Sequence, residues 1–174
     1  FRYKDAFYDS EGISLARQFV KSPLSYSYIS SGYANYRVNP VTRKVETHFA
    51  IDYAASAGTP VIATAKGDVV YAANKGGLGI TVELQHSGGY KTQYAHLSKI
   101  AKNVKNNATV EQGDVIGYVG STGISTGPHL QYAMYKNGEK VNPLAIDTPK
   151  GESVGSSEVN QFNMVKDEYM AKLP

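Results

Sequence analysis

The pattern of apolar residues predicts a mainly β protein, an antiparallel two-sheet sandwich or barrel with a short helix before it and another at its C-terminus. Three observations predict it. Segments between His48 and Tyr135 are short and carry apolar residues at alternate positions or in brief runs. Tight turns separate them, at Ala57-Gly58, Lys66-Gly67-Asp68, Gly76-Gly77, Ser87-Gly88-Gly89, Gln112-Gly113-Asp114 and Asn137-Gly138. Helical periodicity is confined to the two ends of the chain.

In order, residues 9 to 22 place Ile13, Leu15, Ala16, Phe19 and Val20 after Asp9 and Ser10 and before Pro23, which predicts a short amphipathic helix. From Ser25 the period becomes two, with Tyr26, Tyr28 and Ser30 set against Ser27, Ile29 and Ser31. A loop containing Arg37, Asn39 and Pro40 is expected from Asn35 to Thr47. Strands are then expected at His48 to Ala54, Pro60 to Ala65, Asp68 to Ala73, Ile80 to Gln85, Lys91 to Leu97, Val115 to Val119 and His129 to Tyr135. The Gly- and Ser-rich stretch from Lys150 to Ser157 reads as a linker. Val159, Phe162, Val165, Tyr169 and Leu173, spaced by threes and fours, predict a terminal amphipathic helix. The expected division is an N-terminal helical extension (1–24), a β domain (25–148), and a linker with its helix (149–174).

A chain of 174 residues can bury a sizeable single core. It has no cysteine, which excludes disulfides, thiolate metal sites and a Cys nucleophile, so any metal is left to His, carboxylate or amide groups. The formal net charge of +3 comes from scattered Lys and Arg, which argues against nucleic-acid binding and suits an anionic polymer such as a cell wall. No apolar run is long enough to span a bilayer, no signal peptide precedes Phe1, and the missing initiating Met marks a processed or excised piece.

Two segments carry candidate chemistry. In Ser125 to Tyr135, His129 and Gln131 point to one face while Leu130, Tyr132 and Met134 point to the other. In His48 to Tyr53, His48 and Asp52 share a face opposite Phe49, Ile51 and Tyr53. Side by side, two such strands gather an imidazole, a carboxylate and a third polar group, the donor chemistry of zinc. His96 ends a further strand. His86, beside Gly88-Gly89, reads as a turn-side polar residue without a role.

His48-Phe49-Ala50-Ile51-Asp52, Tyr94-Ala95-His96-Leu97 and Gly123-Ile124-Ser125-Thr126-Gly127-Pro128-His129-Leu130 resemble the three signatures of the lysostaphin/LytM-like zinc endopeptidases. The resemblance runs from about Ser25 to Pro143 and includes Gly58-Thr59-Pro60-Val61, Ala65-Lys66-Gly67-Asp68-Val69-Val70 and Gln112-Gly113-Asp114. It implies a LytM-type fold whose antiparallel sheets form a groove with Zn2+ at its floor, and the peptide part of bacterial peptidoglycan as substrate. It implies His48 and Asp52 as zinc ligands, and His96 and His129 as non-ligating histidines that handle protons and the developing oxyanion. It also implies a place in the periplasm or cell envelope. The partners it implies are peptidoglycan peptides, other wall enzymes or a preceding region of a longer chain. The D-alanine–diaminopimelate cross-link is the favoured substrate over a glycine bridge, with carboxypeptidase action open.

The third family signature reads His-any-His, and its second His, the third metal ligand, is Gln131 here. A neutral amide donates only through its carbonyl oxygen, so zinc affinity is expected to fall. Natural loss of the ligand, retuning to another metal, and a substitution introduced to silence the enzyme all fit this change. A second departure is Asn39, where similar sequences often carry His, on a loop expected to wall the groove. The competing readings are a LytM-like module that binds peptidoglycan or regulates another wall hydrolase without cutting, and a plain β interaction domain with structural histidines.

Overall fold

The computed structural model describes residues 2–3, 6–8, 10–17, 19–38, 43–146 and 150–171, and the chain divides into two compact units, residues 1–19 with 147–174 and residues 20–146. In chain order the strands are β1 (Arg2–Tyr3), β2 (Ala6–Phe7), β3 (Ile13–Arg17), β4 (Tyr28–Ser31), β5 (Ala34–Val38), β6 (Val45–His48), β7 (Ile51–Ala54) and β8 (Pro60–Ile62). They continue as β9 (Gly67–Asn74), β10 (Ile80–Gln85), β11 (Tyr90–Ile100), β12 (Thr109–Val110), β13 (Val115–Val119), β14 (His129–Lys136), β15 (Glu139–Val141) and β16 (Lys150–Ser153). One helix, α1 (Val159–Met170), follows. Asn39, expected on the groove wall, and Leu173, expected on the last helix, lie outside the described residues.

The terminal unit departs from the sequence reading. The described residues of the 9–22 stretch show no helix: β3 runs through them and pairs antiparallel with β16, which itself lies in the stretch read as a linker. Gly12, at φ +75, interrupts any helical run just before β3. Long-range pairing therefore overrides the local 3.6-residue period. The expected C-terminal helix is present, and it buries Phe162 against the rings of Tyr3 and Tyr8, at centroid distances of 5.8 and 5.7 Å.

The larger unit is the expected mainly antiparallel β fold. One sheet runs β12-β9-β10-β11-β14-β7-β4, with β15 pairing β14 and β13 pairing both β11 and β8. Strand β11 changes partner along its length: Tyr90 to Ala95 lie opposite β14, and Leu97 to Ile100 lie opposite β13. The hairpin of β5 and β6 stands apart as a two-stranded sheet.

Alternation along β14 gives the core its floor, since Leu130, Tyr132 and Met134 are buried while His129 and Gln131 are not fully so. Ile51, Tyr53, Val82, Leu84, Tyr94 and Leu97 are buried with them. The polar groups in this core are mutually satisfied. Thr64 Oγ1 lies 2.9 Å from the Tyr94 hydroxyl and 3.1 Å from that of Tyr132, and Thr92 Oγ1 lies 3.1 Å from the Tyr94 hydroxyl. A hydroxyl moved from water into an apolar core without such partners costs free energy, so these residues specify one arrangement of the strands.

His86 closes this chain of groups and is not the turn-side surface residue expected. Only 5 % exposed, it sits with Nδ1 2.8 Å from the Lys66 carbonyl and Nε2 2.7 Å from Thr92 Oγ1. A carbonyl only accepts, so Nδ1–H donates to Lys66 and Nε2 accepts from Thr92. Burial pushes its pKa below the ordinary 6.5, against the opposing pull of the Lys66 carbonyl. As pH falls through 6.5, the unfolded chain therefore takes up this proton before the folded chain does, and stability present above that pH is lost on acidification. Thermal melting between about pH 7.5 and about pH 5 is expected to fall more steeply for this chain than for His86→Gln; equal slopes would remove His86 from the account.

Candidate metal centre

The site begins where the chain stops being regular. His48 ends β6 and Ile51 starts β7, so the single strand expected from His48 to Ala54 is broken at Phe49 and Ala50. In an unbroken strand, residues four apart stand about 13 Å apart even on a shared face. The break instead brings His48 Nε2 to 3.1 Å from Asp52 Oδ1. Phe49 is held by stacking on Tyr33, with ring centroids 5.0 Å apart and planes at 24°.

Both atoms of this contact are buried and have no other hydrogen-bond partner. His48 Nδ1 lies 3.0 Å from the Gly32 carbonyl, which must accept its proton, so the neutral ring presents a bare Nε2 lone pair toward a carboxylate oxygen. Two acceptors facing each other need a cation or a proton between them. Zinc–nitrogen and zinc–oxygen bonds of about 2.0 to 2.2 Å at a tetrahedral angle would place such atoms roughly 3.3 Å apart. The His48–Asp52 pair therefore fits a divalent cation.

The third position is different. Gln131 on β14 lies opposite Asp52 on β7 and opposite Ala95 on β11, so register brings it to the same face as the pair. Its side chain is among the groups that oppose the lowering of the His96 pKa by burial. Among the described residues no three His, Cys, Asp or Glu side chains gather around one point, and the polar group opposite Asp52 on β14 is the amide of Gln131. The residues present fit a metal at two positions and offer only a carbonyl oxygen at the third.

His96 and His129 complete the cluster. His96 sits where β11 changes partner and has φ +62, a left-handed conformation in which a bulge re-aims a side chain. Its Nδ1 lies 2.7 Å from the Thr122 carbonyl, and His129 Nδ1 lies 2.8 Å from the Gly127 carbonyl. In each ring Nδ1–H donates to a carbonyl and Nε2 remains available; the two ring centroids are 4.7 Å apart. Burial holds the His96 pKa below its ordinary value, reinforced by the charge of His129 and opposed by the Thr122 carbonyl, by Asp52 and by Gln131.

Asp52, His96, His129 and Gln131 line a cleft of about 530 Å³, with Tyr28, Ile124 and Pro128 among its walls. Sequence reasoning left out two contributors. Arg37, given no role in its loop, lies on β5, and its Nη1 is 3.2 Å from Asp52 Oδ2 and 2.6 Å from Ser31 Oγ. Ser31 lies opposite Asp52 in the pairing of β4 with β7. The one sequence signal for either was an arginine in the loop expected between Asn35 and Thr47, ahead of the His48 segment.

An antiparallel-sheet cleft that joins a His–Asp donor pair to two further imidazoles has the groups of a metallohydrolase. Residues 46–143 match peptidase family M23, and the chain belongs to that family. It is similar to the DD-carboxypeptidase/endopeptidase Mpg of Neisseria meningitidis serogroup B, 46 % identical over 77 % of this chain and 30 % of that protein. It is 40 % identical to the peptidoglycan DD-endopeptidase ShyA of Vibrio cholerae, over 90 % of this chain and 36 % of that one. The chain thus spans about a third of these curated relatives. A crystal structure of a zinc-containing peptidase from Vibrio cholerae superimposes with a TM-score of 0.70 at 34 % identity, covering 83 % of this chain and 47 % of the other.

The approach of His129 to His96 depends on Gly120, whose carbonyl accepts from the His129 amide at 3.2 Å. A Cβ at Gly120 would meet the Ser98 nitrogen at 2.4 Å and the Leu97 carbonyl carbon at 2.7 Å. Gly120→Ala is accordingly expected to cost about 1–3 kcal/mol of stability, read as a lowered denaturation midpoint. An unchanged midpoint would show that the backbones have room to part.

Proposed function

We propose that this domain is a zinc-type peptidoglycan endopeptidase with one metal ligand replaced by an amide, so that its metal affinity and its cutting are both reduced. The observation that supports this most directly is the orphaned pair, His48 Nε2 and Asp52 Oδ1, buried and 3.1 Å apart beside two imidazoles. When bound, zinc supplies a Lewis acid that acidifies water and polarises a scissile carbonyl. His48 and Asp52 would hold it, with the carbonyl oxygen of Gln131 as a weak third donor.

The remaining work belongs to the chain. His96 and His129 each keep an Nε2 free, since each Nδ1–H is committed to a backbone carbonyl. One ring takes the proton of the attacking water and returns it to the leaving amine, and the other donates a hydrogen bond to the tetrahedral oxyanion. The lowered His96 pKa favours the neutral ring near pH 7, the form that accepts a proton. The favoured substrate is the D-alanine–diaminopimelate cross-link of the wall, in line with the DD-endopeptidase activity named for ShyA. Such a substrate places the domain in the periplasm or cell envelope; among the described residues no helix is long and apolar enough to cross a membrane.

The amide of Gln131 on the face of the donor pair, in place of an imidazole, favours a second reading, a domain that grips peptidoglycan peptides or regulates another wall hydrolase without cutting. One experiment separates the two: zinc titration and digestion of purified muropeptides by this chain and by Gln131→His. The expected result is zinc affinity for Gln131→His more than about 10–100-fold tighter than for this chain, with a matching gain in cleavage. A Gln131→His protein that binds zinc but cuts nothing would sink the endopeptidase reading in favour of the regulator.

A further inference from the structure

We propose that Arg37 is a positioning residue of the metal centre: it captures one oxygen of Asp52 so that the other is aimed at His48 and left free to ligate. The inference rests on the metal-centre reading given above. Arg37 stands on β5, whose pairing with β6 sets Ala34 opposite His48 and Arg37 opposite Glu46. The hairpin that delivers His48 therefore delivers the guanidinium as well.

From that place Nη1 donates to Asp52 Oδ2 at 3.2 Å and to Ser31 Oγ at 2.6 Å. Ser31 Oγ is in turn 3.4 Å from His48 Nδ1, the nitrogen held at 3.0 Å by the Gly32 carbonyl. A single guanidinium nitrogen is thus tied directly to one donor residue and through one hydroxyl to the other. The contact from Nη2 to Glu46 is long, at 3.9 Å, and exposed, so it adds little. Arg37 thus donates to Asp52 Oδ2 within a carboxylate that is only 9 % exposed.

Two effects of Arg37 on a bound cation oppose each other. Its charge repels the ion; its hydrogen bond prevents the carboxylate from turning its occupied oxygen away or presenting both. The orphaned Oδ1, directed at His48 Nε2 with no other partner, indicates that orientation is what the arrangement secures. Groups that orient metal ligands in this way typically contribute about 10–100-fold in affinity. The planar fork matters too: a lysine ammonium has the charge without the fixed directions.

The test is zinc titration against a competing chelator, using the ion alone, in the Gln131→His protein and in the same protein carrying Arg37→Ala or Arg37→Lys, with thermal melts of each metal-free protein. Arg37→Ala is expected to weaken zinc binding about 10–100-fold, Arg37→Lys to recover part of it, and the metal-free melts to stay close together. Affinity unchanged within about twofold, or tightened because the repelling charge is gone, would overturn the proposal. Should Arg37→Ala not fold, Arg37→Lys decides: zinc affinity equal to that of the Arg37 parent counts against orientation, and a weaker one supports it. If Gln131→His itself takes up no zinc, the metal-centre reading falls and the proposal with it; binding that ignores Arg37 removes the proposal alone.

Discussion

An extended strand separates side chains four residues apart by about 13 Å, yet the nitrogen of His48 and the oxygen of Asp52 stand 3.1 Å apart. The two-residue interruption at Phe49 and Ala50 makes this possible, and the remaining site is arranged around the pair it creates. On one side β4 and the β5–β6 hairpin bring Ser31, Gly32 and Arg37; on the other β14 brings Gln131 opposite Asp52. Phe49, stacked on Tyr33, and Ala50, buried, keep the interruption from relaxing into continuous strand.

The pair of imidazoles, His96 and His129, comes from a different irregularity, the exchange of β14 for β13 along β11. His96 occupies the changeover in a left-handed conformation, and Gly120 lets the neighbouring backbone come close enough to hold His129. Regular strands thus supply the core and the register, while two departures from regularity supply the convergence. The backbone carbonyls of Gly32, Thr122 and Gly127 then set the ring tautomers, leaving each Nε2 available.

Much of this was legible in the sequence, and the limits have physical causes. Alternation along His129 to Tyr135 revealed which side chains face the cleft because a two-residue period is a local property of any strand. The same logic put His48 and Asp52 on one face but gave them the wrong separation, since a break in a strand leaves no trace in periodicity. Residues 9–22 carried a helical period, and their pairing with a segment more than a hundred residues away prevailed over it. His86 looked like a turn residue because it adjoins two glycines, while its burial against Thr92 and Lys66 depends on strands brought together by the fold. Arg37 was passed over for a related reason: its partners, Ser31 and Asp52, become neighbours only when the hairpin docks beside β4 and β7.

Gln131 is a half-buried, cleft-lining residue of β14, whereas Leu130, Tyr132 and Met134 on the reverse side of the strand are buried and carry the packing. Exchanges at that position therefore act on chemistry with little call on folding. Substitutions there escape the demands of packing, so such a scaffold can exchange its cleft groups one at a time while its strands stay in register.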